Sequence, residues 1–271
     1  MPRTIAEKRA LFWTLHASDC FLLPNPWDVG SARYLEALGF RAIATTSSGF
    51  AWSTGHANNH LSRDTVLTHL EQMVAARDLP VNADFENGFG KDAAGVAESV
   101  KLAVAAGVAG LSIEDSTADA TDPLLPLDVA VERLRAARQA IDEVGGDTML
   151  IGRAENFFVG VPDLEDTLTR LKAYAAAGAD CLYAPGIKTR EQIAAAVAAV
   201  APKPVNVLVG SSSEFTLSDF AALGVRRVSV GGALARAAWG GFMQAAQSLA
   251  NGRFDGFTDA ATGAQLNSPF T

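Results

Sequence analysis

The feature that most constrains the fold is a regular alternation of short apolar segments with longer helical patterns along the whole chain. Eight of these short segments are predicted strands, and each is apolar on consecutive positions. Strands that are apolar on both faces are typical of parallel sheets covered by helices. The predicted strands are Phe21–Asn25, Ala42–Thr46, Val81–Asp84, Leu111–Glu114, Met149–Arg153, Cys181–Ala184, Val205–Leu208 and Val228–Gly231.

The helices between these strands carry explicit start and stop signals. Thr189 and Gln192 form a capping-box pattern, and Asp163 and Thr216 are placed to begin two other helices. A helix-ending glycine recurs before a strand, because glycine adopts the left-handed conformation that ends a helix. The four copies are Leu38-Gly39-Phe40, Ala106-Gly107-Val108, Ala177-Gly178-Ala179 and Leu223-Gly224-Val225.

Repeated β/α units of this kind form either a closed barrel or a doubly wound sheet. No G-x-G-x-x-G pattern follows the first strand, and a length of 271 residues suits one barrel. The sequence therefore favours a single (β/α)₈ TIM-type barrel domain over residues 1–271. Residues from about 232 to 271 are predicted to form a C-terminal helical extension of it.

Composition and charge exclude some classes of binding partner and indicate the cellular compartment. The net charge is −8 and no basic run is present, so we expect no nucleic-acid partner. No stretch of about 18 apolar residues could span a membrane, and the N-terminus lacks the apolar segment of a signal peptide. Two cysteines, Cys20 and Cys181, form no disulfide framework or metal motif. These features together predict a cytoplasmic protein.

Polar residues gather where the predicted strands end, which is where β/α barrels place their active sites. Asp84 and Glu86 follow the third strand one residue apart and point to the same side if the backbone stays extended. Glu114 ends the next strand. Three carboxylates at one edge repel each other unless a cation lies between them, and oxygen ligands suit Mg²⁺ or Mn²⁺. The alternative is that each acid forms an ion pair at the barrel rim.

Arg153 ends the fifth strand after apolar residues, so its guanidinium is expected to be partly desolvated and able to hold a carboxylate in a bidentate manner. An ion pair with Glu155 or Asp115 is the structural alternative. Ser47-Ser48-Gly49 could present backbone N–H groups to an anion, although such a segment is more often only a turn. His56, His60 and His69 are predicted to be loop and helix-surface residues.

These motifs, in this order, resemble the isocitrate lyase/phosphoenolpyruvate mutase superfamily over nearly the whole chain. The most specific are Asn82-Ala-Asp-Phe-Glu-Asn-Gly88 and Ser112-Ile-Glu-Asp115. They are accompanied by Pro24-Asn-Pro-Trp-Asp28, Thr46-Ser-Ser-Gly49, Gly152-Arg-Ala-Glu155 and Ala179-Asp-Cys-Leu-Tyr-Ala-Pro-Gly186.

The resemblance implies a Mg²⁺-dependent enzyme that stabilises an enolate-like form of a small 2-oxo acid. It implies that Asp84 is a direct metal ligand, while Glu86 and Glu114 act largely through water. The substrate contacts that it implies are Ser48, Gly49, Phe50, Arg153 and Asn206, and Asn58, Asp115 and Glu155 are supporting residues. It also implies a homo-oligomer, a dimer or tetramer, in which a C-terminal helix packs on or swaps with a neighbouring subunit.

Two departures from the family pattern narrow the chemistry. The loop from Ser116 to Pro126 lacks the K-[KR]-C-G-H motif of the lyases and has no Cys, His, Lys or Arg, and Asn58 replaces an expected acid. We therefore predict no isocitrate cleavage. The favoured function is lyase chemistry on a small 2-oxo or 2-hydroxy dicarboxylic acid, such as oxaloacetate decarboxylation. Phosphorus–carbon chemistry on a phosphonopyruvate-like compound and non-catalytic binding of a 2-oxo acid remain alternatives.

Overall fold

The computed structural model describes residues 2–17, 19–76, 78–117 and 119–270. Its strands are β1 (Phe21–Leu23), β2 (Ile43–Ala44), β3 (Val81–Asp84), β4 (Gly110–Glu114), β5 (Met149–Arg153), β6 (Cys181–Tyr183), β7 (Val205–Leu208) and β8 (Arg227–Ser229). Its helices are α1 (Ile5–Ala17), α2 (Val29–Ala37), α3 (Ser47–Ser53), α4 (Arg63–Ala76), α5 (Ala93–Ala105), α6 (Leu127–Glu143), α7 (Leu164–Ala176), α8 (Arg190–Val200), α9 (Leu217–Ala222), α10 (Ala233–Ala250) and α11 (Gly263–Asn267). Short 3₁₀ helices span Asp255–Phe257 and Ser268–Phe270.

The eight strands form one parallel sheet in the order β1-β8-β7-β6-β5-β4-β3-β2. The remaining gap is bridged just beyond β1 by hydrogen bonds from Ala44 N–H to Pro24 O at 3.0 Å and from Asn25 Nδ2 to Thr45 O at 2.8 Å. The sheet is therefore a nearly closed barrel, and the predicted (β/α)₈ architecture is confirmed. None of the described helices is long and apolar enough to cross a membrane.

The predicted helix signals are present in the structure. Asp163 caps α7, and Thr189 and Thr216 form capping boxes at α8 and α9. The four predicted stop glycines, Gly39, Gly107, Gly178 and Gly224, all have φ between 84° and 106°. Local sequence therefore sets where most of the helices begin and end.

Several strand boundaries differ from the prediction. The first strand ends at Leu23 instead of Asn25, because Pro24 and Pro26 have no N–H to donate to a neighbouring strand. The second strand is only Ile43–Ala44, because Thr46 is the N-cap of α3. The predicted turn at Ser47-Ser48-Gly49 is in fact the first turn of that helix.

The sixth strand ends at Tyr183, and the eighth runs from Arg227 to Ser229 instead of Val228–Gly231. This one-residue shift places Arg227 within the barrel wall. Helix α1 packs across the N-terminal end of the barrel, where Phe12 and Leu15 join a buried cluster with residues of β1, β5 and β6. The barrel is thus closed at that end and open at the C-terminal ends of its strands.

Candidate active site

A cavity of about 550 Å³ opens at the C-terminal ends of the strands. It is lined by Asp84, Arg153 and Asn206, by Ser48 at the start of α3, and by Asn58 in the loop that follows α3. Residues predicted from separate segments of the chain therefore meet at one site. The volume is in the range of small-molecule sites.

Asp84 is positioned by three contacts at the end of β3. Its Oδ2 accepts a 2.9 Å hydrogen bond from the Ser47 N–H, in the first turn of α3, where the helix dipole favours a negative charge. Its Oδ1 lies 3.1 Å from Nη1 of Arg153, and its own N–H donates to Thr45 Oγ1 at 2.9 Å. The carboxylate is held firmly on the wall of the cavity.

Glu86 occupies a left-handed backbone conformation with φ of 47°, which is uncommon for a residue with a side chain. With Glu114 it lines a second cavity of about 200 Å³. Burial, and secondarily the charge of Asp84, raises the pKa of Glu86 to about 7. Because the backbone leaves the extended conformation after Asp84, the expectation that both side chains follow one face of an extended strand was wrong.

Glu114 at the end of β4 is also unfavourable as an anion. Burial raises its pKa well above the usual value, and nearby Glu155, Asp84 and Glu86 raise it further, against the opposing effect of Arg153. Four carboxyl groups thus share one nearby guanidinium. Such an excess of buried negative charge is a physical reason for a cation to bind here.

The predicted metal ligands do not already form a three-ligand cluster. Among the residues that the structure describes, no group of three His, Cys, Asp or Glu side chains is arranged to hold a metal ion. Mg²⁺ nevertheless keeps several waters and commonly takes only one or two carboxylates directly. The donor set fits that mode, because Asp84 lines the main cavity and its charge acts on the buried carboxyl groups of Glu86 and Glu114.

Arg153 is the central cation of the site, and its side chain is only 12% exposed. Nη1 lies 3.1 Å from Asp84 and 3.2 Å from Glu114, while Nε donates to Glu155. The ring of Tyr183 lies under the guanidinium at 5.1 Å. Arg153 is therefore an ion-pair residue, as the structural alternative held.

The ion pairs of Arg153 leave one part of the guanidinium for a ligand. Within the described ranges no hydrogen bond involves Nη2, so two of its N–H donors remain. The predicted bidentate grip on a carboxylate would have to share Nη1 with Asp84 and Glu114. The alternative pairing with Asp115 does not occur, since Asp115 contacts a different arginine.

Asp115 and Glu155 support the site from behind. Asp115 is 2% exposed, accepts the Glu155 N–H at 2.8 Å and pairs with Arg170 at 3.0 Å. Tyr174 donates its hydroxyl to the same carboxylate. Glu155, also 2% exposed, then receives Nε of Arg153. This network fixes the position of Arg153 without itself reaching the cavity.

The first turn of α3 provides less than was predicted. Ser47 N–H binds Asp84, Gly49 N–H binds Thr46 Oγ1 at 3.3 Å, and Phe50 N–H binds Thr46 O. Only the Ser48 amide of this turn remains for a substrate carboxylate. Gly49 is required by close packing, because a Cβ there would lie 2.7 Å from the Thr46 side chain.

Two aromatic and histidine assignments change with the structure. The Phe50 ring stacks on His69 at 3.7 Å between centroids and does not line the main cavity. His69 is buried, so its prediction as a surface residue was wrong. Through this stack Phe50 holds α3 against α4.

Asn206 lines the cavity but is already hydrogen-bonded within the barrel. Its Oδ1 accepts from Nε of Arg227 at 2.9 Å, and its Nδ2 donates to Ser229 Oγ at 3.0 Å. Arg227 and Tyr183 line the same cavity, and neither was singled out from the sequence.

Two further cations were missed, Lys188 after β6 and Arg236 in the first turn of α10. The residues predicted from the sequence follow or lie in strands two to five and strand seven. Lys188 lies in the loop beyond β6 and Arg236 lies within α10, so a rule limited to the residues that end each strand does not find them.

Comparisons with known proteins agree with this geometry. Residues 12–250 match the family model described as phosphoenolpyruvate phosphomutase. An oxaloacetate decarboxylase of Rhodopseudomonas palustris (strain BisB18) is 31% identical over 233 residues, covering 83% of this chain and 77% of that protein. A crystal structure from Burkholderia cenocepacia J2315 is 47% identical, with TM-score 0.94 and coverage of 98% and 97%. The structure of oxaloacetate acetylhydrolase with its product oxalate is 26% identical, with TM-score 0.85 and coverage of 99% and 94%.

Proposed function

Because the chain belongs to the phosphoenolpyruvate phosphomutase family, we propose that it is a lyase acting on a small 2-oxo or 2-hydroxy dicarboxylic acid. Oxaloacetate decarboxylation is the favoured reaction. The observation that carries this proposal is the meeting of Asp84 and Arg153 on the wall of one cavity, with Glu114 paired to the same arginine at 3.2 Å. The similarity to an oxaloacetate decarboxylase supports the same substrate class.

In this proposal Arg153 binds the carboxylate next to the 2-oxo group through Nη2, and the Ser48 amide contacts the same carboxylate. Glu155, held by Asp115, keeps the guanidinium in place. Asp84, with Glu86 and Glu114 through water, would hold Mg²⁺ or Mn²⁺. When bound, the metal supplies a positive charge that stabilises negative charge developing on a substrate oxygen.

The loop after β4 is consistent with decarboxylation and not with cleavage of a tricarboxylic acid. Ser116 and Leu124 form a bridge, and Leu125 N–H donates to Asp115 O at 2.8 Å, so the ends of the loop are tied together. Asp119 is exposed, and hydrogen bonds from Thr121 lower its pKa, so it is ionised near neutral pH. A positioned acid commonly contributes about 10²–10⁴-fold in rate. Loss of CO₂ needs no such group from this loop.

Turnover assays test the proposal. Purified protein should consume oxaloacetate faster than the spontaneous rate with Mg²⁺, and this excess should disappear with EDTA and in Asp84→Asn. The matched control is Asp64→Asn, an exposed helical aspartate whose side chain is 84% accessible, and it should retain activity. A wild-type rate equal to the spontaneous rate, with tight 2-oxo-acid binding, would support the non-catalytic alternative instead.

Phosphorus–carbon chemistry remains a second candidate because one observation now favours it. The loop after β4 has no Lys, Arg or His to bind a phosphonate. The cavity nevertheless contains Lys188, Arg227 and Arg236. Phosphonopyruvate therefore belongs in the same substrate panel, and its turnover in preference to oxaloacetate would reverse the assignment.

We also propose that the protein is a homo-oligomer through its C-terminal helices. Phe242 and Met243 on α10 are 61% and 64% exposed, and Phe254 beyond it is 72% exposed. Large apolar side chains grouped in this way commonly mark an interface. Sedimentation analysis should give the mass of a dimer or tetramer, and Phe242→Glu with Met243→Glu should shift it toward the monomer. A wild-type monomer at tens of micromolar would contradict this proposal.

A further inference from the structure

The two sides of the main cavity carry opposite charge. Acidic groups and their arginine lie at the ends of β3, β4 and β5, as described above. The side formed by β6 to β8 and the start of α10 contains three cations, Lys188, Arg227 and Arg236, and all three line the cavity. Among the described residues, no acidic residue of that side lines the cavity. A ligand that spans the cavity therefore meets a second positive region.

The two rim cations are not engaged in ion pairs. Throughout the described ranges, neither Lys188 nor Arg236 has an acidic partner. Arg236 donates only to the backbone oxygen of Gly210, and the one hydrogen bond of Lys188 is from its backbone N–H to Gln192. Arg190 nearby behaves differently, because it pairs with Asp219 at 3.0 Å. Lys188 and Arg236 are thus free to meet an anion.

Arg227 adds charge beneath them. It is 2% exposed, and its side-chain contacts are with Asn206 at 2.9 Å, Asn82 at 3.4 Å and His16 at 3.5 Å, none of which is an acid. A buried cation is costly unless an opposite charge compensates it. Arg227 lines the cavity and is almost fully buried, so it contributes positive electrostatic potential there.

The segment before α10 packs closely against the first turn of α3. Gly232, which precedes α10, lies close to α3, because a Cβ there would come within 2.7 Å of Ser48 Oγ and the serine hydroxyl would have to turn away. This packing brings Arg236 to the same cavity as Ser48, the residue expected at the 2-oxo-acid end. Both ends of one small ligand can therefore be contacted at once.

We propose that Lys188 and Arg236 bind the distal carboxylate of the substrate and determine specificity for dicarboxylic over monocarboxylic 2-oxo acids. The inference rests on the proposed function, in which Arg153 holds the carboxylate beside the 2-oxo group. A hydrogen-bonded ion contact of this kind is commonly worth about tenfold or more in affinity.

The test compares oxaloacetate with 2-oxobutyrate, which carries a methyl group where oxaloacetate has its distal carboxylate. Binding is followed by rapid-mixing fluorescence with Mg²⁺, and Trp52 in the cavity wall serves as the reporter. The wild type should prefer oxaloacetate by about tenfold or more. Lys188→Met with Arg236→Met should reduce that preference to about threefold or less. The matched controls Lys172→Met and Arg135→Met lie on α7 and α6, outside the cavity, and should keep it.

Each outcome distinguishes the two proposals. If the wild type binds 2-oxobutyrate as tightly as oxaloacetate, or if the double variant keeps the preference, the distal-carboxylate assignment is wrong while the proposed function stands. If oxaloacetate does not bind the wild type, or binds equally to Arg153→Lys, the proposed function fails and this inference with it. Phosphonopyruvate is a third probe. If it binds more than about tenfold tighter than oxaloacetate, the group that Lys188 and Arg236 bind is a phosphonate and not a carboxylate.

Discussion

Replacing Glu86 by glutamine tests whether ionisation of this buried carboxyl group destabilises the folded protein. Burial raises the pKa of Glu86 from 4.5 to about 7, so the folded protein holds this proton more tightly than the unfolded chain does. The contribution of Glu86 to stability therefore falls as the pH rises from about 4.5 to about 7. Glutamine has nearly the same shape and carries no charge, so Glu86→Gln should remove the loss.

The size of the effect follows from the two pKa values. Each pH unit between them is worth about 1.36 kcal/mol, which gives about 3 kcal/mol at pH 8. Solvent reaching the partly exposed side chain screens some of this, so we expect about 2–3 kcal/mol. For a protein of this size that corresponds to a rise in Tm of roughly 5–10 °C. Near pH 4.5 the two proteins should be almost equally stable.

The assay is urea unfolding of both proteins in EDTA at pH 4.5, 6 and 8, with reversibility checked at each pH. Glu132→Gln, an exposed position on α6, is the matched control and should change the free energy of unfolding by less than about 0.5 kcal/mol at every pH. Mg²⁺ should then stabilise the wild type more than Glu86→Gln at pH 8, because the cation offsets the same charge.

At pH 8, an unfolding free energy for Glu86→Gln within about 0.5 kcal/mol of the wild-type value would contradict this prediction. A change that small is no larger than the change expected for the control. A variant that is equally stabilised at pH 4.5 and pH 8 would also refute it. In that case the gain would come from packing or from the left-handed backbone at this position, and not from ionisation.

The remaining predictions concern binding, stability and reaction scope. Asp84→Asn should abolish any Mg²⁺-dependent gain in 2-oxo-acid affinity, and equal wild-type affinity in EDTA and in Mg²⁺ by calorimetry would contradict the metal site. Arg153→Lys should weaken 2-oxo-acid binding about tenfold or more, because lysine cannot hold three acids and a ligand with one ammonium; near-wild-type affinity would leave Arg153 a purely structural role. Tyr174→Phe should cost about 2 kcal/mol in urea unfolding by removing a donor from buried Asp115, and a change below about 0.5 kcal/mol would show that this hydrogen bond contributes little. Coupled assays with Mg²⁺ should detect no isocitrate or methylisocitrate cleavage, whereas efficient cleavage would require a proton donor outside the loop after β4.

The sequence by itself determined the architecture and the identity of the acidic site. Helix caps such as Thr189 and stop glycines such as Gly178 act on their own backbone, and apolar strand segments record burial on both faces of a sheet. These are local signals, so they can be read without knowing the fold. Once a barrel was inferred, Asp84, Glu114 and Arg153 followed from their positions at the ends of strands.

Only the tertiary structure decided which of these groups contact one another. Parallel pairing sets Glu114 opposite Arg153 across β4 and β5. The left-handed backbone conformation at Glu86 directs its carboxyl group to a separate cavity. Asp115 contacts Arg170, 55 residues away along the chain, and Arg236 reaches the cavity because the segment before α10 packs against Ser48 at Gly232. Ion-pair partners depend on distances through space and on strand register, and neither is encoded in the spacing of residues along the chain.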